Sequence, residues 1–126
     1  MGQLRPHDLA RYALAGIRLF NGTLALLAPA TLAQRLGVRP EAAPAAAYAL
    51  RMFGIRTVVI GVELLVLDGD DLDRSLRAGV VIHSSDALAA ATAGINKQLP
   101  VAVAAAATAI SSVNVLLAIT AREGRR

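Results

Sequence analysis

Four long apolar stretches alternate with short polar ones along this chain of 126 residues. They cover about 9–32, 45–67, 76–95 and 101–121, each near the ~20 residues a helix needs to cross a bilayer. Between Tyr12 and Gln34 the only charge is Arg18, and between Gln98 and Ala121 there is none. A soluble amphipathic helix presents a charged face every turn or so. The pattern therefore predicts an all-α protein, a bundle of four transmembrane helices forming one integral membrane domain over 1–126. The first stretch ends near Pro29 and Gly37, and a Pro- and Ala-rich connection follows at 38–44. An acidic loop at 68–73, a tight turn at 96–100 and a basic tail at 122–126 complete the chain.

Arginines and lysines in short loops set the orientation of such a bundle. Arg5, Arg11, Arg74, Arg77, Arg122, Arg125 and Arg126 lie on one side, against Arg35, Arg39 and Lys97 on the other. Both termini are expected on the cytoplasmic face of a bacterial cytoplasmic membrane. The aspartates of 68–73 count little in that rule. They are too few and too closely spaced for an EF-hand, whose twelve-residue loop ends in a bidentate glutamate. A solvated turn fits instead, with Asp70 or Asp71 capping the third helix. Asn21 matches a glycosylation sequon but lies within a span. Met1-Gly2 lacks the Ser or Thr that myristoylation requires, and Arg18 interrupts what would be a signal peptide's apolar region.

Composition narrows the function. The chain is 56% hydrophobic but 3% aromatic, and much of the apolar content is alanine. The net charge of +4 forms no basic stripe interleaved with aromatics, and several arginines sit inside apolar segments, so nucleic acid is not expected as a partner. Without cysteine there is no disulfide framework, thiol nucleophile or thiolate metal site. No metal or other cofactor is expected.

The candidate chemistry lies within the spans. Arg18, Arg51, Arg56, Glu63, His83 and Asp86 are ionisable residues in apolar surroundings, where charge usually pairs or lines a polar cavity. At ~1.5 Å of rise per residue, Arg18, Arg56, His83 and Asp86 fall roughly 10–16 Å from the cytoplasmic end, level with Ser111, Ser112 and Asn114. Glu63 is shallower. Every helix thus supplies a polar group to one level, which predicts a single internal site. His83 and Asp86 are neighbours on one helix face, as are Arg18 and Asn21. Gly54 and Gly61 share another face, suited to close helix packing. Arg51 points away and is expected to snorkel outward. The expected catalytic group is Asp86 with His83 as an acid/base pair, and Arg18 or Arg56 stabilising negative charge. Asn21, Glu63, Ser111 and Asn114 are the expected substrate-binding residues. Buried ion pairs that only fix helix register, Arg56 with Glu63 or Asp86 and Arg18 with Asp86, are the alternative for these charges, Arg51 and Glu63 included, and periodicity leaves open which arginine holds Asp86.

Gly16-Ile17-Arg18 with Gly22 and Pro29, Leu50-Arg51-Met52-Phe53-Gly54-Ile55-Arg56 with Gly61, and Asp86 resemble the DoxX-like and related small four-helix bacterial membrane proteins, many of unknown function. The resemblance covers nearly the whole chain and implies a four-helix bundle with a polar centre, but no activity. Small multidrug transporters share the length and helix count. They carry an essential glutamate in the first helix, where this chain has Arg18.

Three functions follow as expectations. The first is a cofactor-independent enzyme or binding protein for a lipophilic small molecule that partitions into the lipid bilayer, of isomerase, epoxide-opening or cyclase type. The second is a proton-coupled transporter or channel, which four short helices would form only as a homo-oligomer. The third is a non-catalytic accessory subunit.

Overall fold

Pro29 breaks the first apolar stretch. A proline has no N–H to continue a helix and clashes with the carbonyl four residues back. It also pushes the preceding residue out of the helical region. Ala28 accordingly sits at φ −131°, ψ 52°. In the computed structural model, which describes residues 3–123, α1 (Pro6–Leu27) ends there and α2 (Pro29–Arg35) leaves at 102° to it. The expected straight span over 9–32 is thus a broken one. A single 3₁₀ turn (Pro40–Ala42) leads into α3 (Ala43–Val66), followed by α4 (Gly69–Ile95) and α5 (Val101–Glu123). Among the described residues every regular element is helical.

The acidic segment is not a loop. α4 starts at Gly69, with Asp68 extended at its N-cap and Asp70 and Asp71 in its first turn. Acids there are favoured by the positive end of the helix dipole, and this carries the helix back through residues expected to be irregular. The Asp68 side chain makes no capping hydrogen bond. Arg125 and Arg126 of the basic tail, like Met1 and Gly2, lie outside the described residues.

The helices α4 and α5 are long and apolar enough to cross a membrane, and α1 with α2 meets the same standard only as a bent pair. α3 carries Arg51, Arg56 and Glu63 along its length. The surface is apolar where a soluble protein's would be polar: Phe20, Tyr48, Ile55, Val81, Leu88 and Leu116 all point outward, more than half exposed. Arg18, Thr57, His83 and Asn114 are buried.

α1 packs on α3 and α5, α4 packs on α5, and α2 lies against α3. α3 and α4 touch only sparingly. The ring of four long helices is tight at one end. There the first half of α1, the last turns of α3 and α5 and the start of α4 bury Leu14, Leu64, Leu72, Leu76, Ala118 and Ala121 in one cluster. The other end, crossed by α2, is where the bundle is hollow.

Candidate functional site

The hollow end holds a cavity of about 380 Å³ lined by residues of all five α-helices. Its polar lining is Arg18 and Asn21 of α1, Asp86 of α4, and Ser111 and Asn114 of α5. These are five of the eight residues expected at the site. Apolar side chains supply the rest of the wall. Leu24 and Leu50 come from α1 and α3, Leu32 and Leu36 from α2 and the residue that caps it, and Leu99, Val103 and Ile110 from the turn before α5 and from α5 itself. The break at Pro29 turns the two leucines of the α2 region across the end of the bundle, so the cavity depends on that bend.

Arg18 is 3% exposed. Its Nη2 donates to Thr57 Oγ1 at 3.2 Å, and its guanidinium lies 5.8 Å from the Phe53 ring centroid. Arg56 lies 5.9 Å from the same ring, so one phenyl group contacts both cations. Attraction between a cation and a ring's negative face steadies each. Arg56 also answers which arginine holds Asp86: Nη2 is 3.9 Å from Asp86 Oδ1. That contact bridges the sparse α3–α4 seam, with the Arg56 side chain 54% and the Asp86 side chain 29% exposed.

Three expected site residues do not line the cavity. Arg56 stands at the seam through its contact with Asp86. His83, near one turn from Asp86 on α4, is fully buried, and neither ring nitrogen has a hydrogen-bond partner. It makes no bond to Asp86, so the two are neighbours on the helix without acting as a hydrogen-bonded pair. Glu63 accepts a hydrogen bond from Ser75 Oγ at 2.9 Å. It faces a separate polar hollow with Asp71, Arg74 and Ser75, because the last turns of α3 have by then reached the packed end. Arg51 is exposed.

Phe53 and Thr57 were not anticipated. Each shares a helix face with neither Arg18 nor Asp86 in sequence, and only the packing of α3 on α1 brings them to Arg18. The signal available was their spacing, four apart on α3. Arg11, expected among the N-terminal cations of the cytoplasmic side, is 6% exposed. Its Nε donates to the Leu64 carbonyl and its Nη2 to the Leu67 carbonyl at 2.8 Å, satisfying the orphan acceptors at the end of α3.

The buried polar atoms at this level are under-satisfied. Arg18 Nε, both His83 nitrogens, and Asn114 Nδ2 and Oδ1 have no protein partner. Buried polar groups are nearly always hydrogen-bonded, so these atoms hold unused hydrogen-bonding capacity inside the bundle. The lining can bind an amphipathic molecule, donate to it from Arg18 and Asn114, and exchange a proton with it at Asp86. No known protein family, curated protein or solved structure matches the chain.

Proposed function

We propose that the protein is a four-span integral membrane protein, with both termini cytoplasmic, that binds a lipophilic small molecule in its central cavity. The observation that carries this reading is the lining itself: residues of all five helices converge on one space that combines five polar groups with a leucine-rich wall. Binding sites for small molecules have about 300–1,000 Å³ of space, mostly apolar walls and a few placed polar groups. The outward apolar surface supports a ligand that arrives through the bilayer, and the thin α3–α4 seam offers it a way in.

Asp86 is the group able to move a proton on the bound molecule, and Arg18 the group able to stabilise negative charge on it. This supports acid/base chemistry of the isomerase, epoxide-opening or cyclase kind. His83, buried and not part of the cavity lining, does not touch the ligand in this scheme.

Native mass spectrometry of the mildly solubilised protein tests the reading. A monomer with a defined apolar adduct is expected, and Val103→Trp, which fills the wall, should remove it. An empty, stable ring of several chains would sink the reading in favour of transport. For the chemistry, Asp86→Asn that retained full turnover of the identified ligand would exclude Asp86 as the proton carrier.

A further inference from the structure

Arg18 is a buried cation whose one neighbouring carboxylate, Asp86, is shared with Arg56. Its two partners, the Thr57 hydroxyl and the Phe53 ring, are neutral, and its Nε has none. Asp86, the carboxylate on the cavity wall, lies against Arg56. Two guanidinium groups therefore face one carboxylate, leaving one positive charge at the polar end of the cavity. Glu63 does not supply the missing charge, since it is tied to Ser75 in a different hollow. A charge taken out of water is retained only where it is paired and hydrogen-bonded.

The second observation is Asn114. It is 1% exposed, lines the same cavity, and neither atom of its side-chain amide has a partner. A guanidinium edge and an amide N–H are donors that call for an acceptor oxygen, and the surplus positive charge beside them calls for that oxygen to be anionic. Arginine's planar fork suits a carboxylate, to which its hydrogen bonds are charge-assisted.

Resting on the reading of this cavity as a ligand site, we propose that its ligand carries a single negative charge. The class is a carboxylate-headed amphiphile of the fatty-acid type. The head accepts from Arg18 Nε and Asn114 Nδ2. The chain runs past Leu24, Leu50 and Val103 toward Leu32, Leu36 and Leu99 at the α2 end. One anion makes the cavity neutral overall. A dianionic head would leave a surplus negative charge, and a cationic head would meet Arg18.

Equilibrium binding to the full chain in nanodiscs tests this, with empty nanodiscs subtracted. The probes are radiolabelled lauric acid, its methyl ester and dodecyltrimethylammonium, at a pH high enough to ionise the acid. The acid is expected to bind at least tenfold more tightly than the ester, and the ammonium not at all. Arg18→Gln should remove the preference for acid while leaving ester binding in place, and Val103→Trp should abolish both. The acid-over-ester ratio of the unaltered protein decides the matter even if Arg18→Gln fails to fold. Equal binding of acid and ester overturns the anionic ligand but leaves a cavity for a neutral lipophile. Saturable binding of none of the three overturns the anionic ligand as well, and an adduct-free native mass spectrum would then also overturn the cavity reading.

Discussion

Gly22 and Gly54 face one another where α1 crosses α3, so close that a Cβ on Gly54 would stand 2.7 Å from the Gly22 carbonyl oxygen. A Cβ on Gly22 would in turn stand 2.9 Å from the Gly54 carbonyl oxygen. The obstacle on both sides is backbone, which cannot swing aside as a flexible side chain can. Helix association in a membrane relies on such small residues, because burying apolar surface away from lipid gives no driving force.

Gly54→Leu should therefore push α1 from α3 and destabilise the protein by about 3 kcal/mol, the upper end of the usual overpacking penalty. A lowered thermal unfolding midpoint in detergent would show it. Gly16 is the control, since nothing lies within 4 Å of a Cβ placed there. Gly16→Ala should leave the midpoint unchanged or raise it, given the ~0.5–1 kcal/mol advantage of alanine within a helix.

Arg11 holds the end of α3 through the Leu64 and Leu67 carbonyls, with Asp68 Oδ1 a further 3.6 Å from its Nη1. Arg11→Ala leaves those acceptors unmet, at a cost of about 2–3 kcal/mol for a lost charged hydrogen-bond set. Amide hydrogen exchange should quicken over 64–68. Arg11→Lys should restore only part of the protection, because an ammonium cannot reproduce the guanidinium fork. Full rescue by lysine would mean that charge alone matters here.

The turn between α4 and α5 holds Lys97 at φ 58°. Lys97 N–H donates to the Gly94 carbonyl and Gln98 N–H to the Ala93 carbonyl at 2.8 Å, the paired bonds of a Schellman ending. Gly37 occupies the same place after α2, at φ 78°, without a side-chain penalty. Lys97→Gly should stabilise the protein by about 1 kcal/mol, the left-handed conformation being costly for any residue with a Cβ. A drop in unfolding midpoint would show instead that the lysine side chain contributes something larger.

Phe53 stands between two guanidinium groups. Phe53→Leu keeps an apolar wall but removes both ring contacts, worth ~0.5–1 kcal/mol each at exposed sites and more when desolvated. The expected result is a modest loss of stability together with weaker ligand binding, as Arg18 loses its lateral support. Binding unchanged within error would show that the Thr57 bond alone positions Arg18.

What the sequence determined by itself is the helical character of the chain, the helix ends at Ile95 and Val101, and the meeting of several polar residues at one place. Long uncharged runs permit few alternatives to helix, and rise per residue converts sequence position into depth, so Arg18, Asp86, Ser111 and Asn114 could be placed together before any contact was known. Gly54 and Gly61 were legible for the same reason, since helical spacing puts them on one face. Gly54 meets the α1 backbone and Gly61 meets Leu19.

Tertiary structure decided what depth cannot encode, the rotation of each helix about its axis and the hand-off between helices. Rotation sent Arg56 to the seam beside Asp86, sealed His83 away from the cavity and turned Glu63 toward Ser75. It also placed Phe53 and Thr57 against Arg18. The bend at Pro29 was visible as a proline, but its direction was not. Only the packing of α2 against α3 directs it across the bundle, and that packing brings Leu32 and Leu36 to the wall of the cavity that Arg18, Asp86 and Asn114 line.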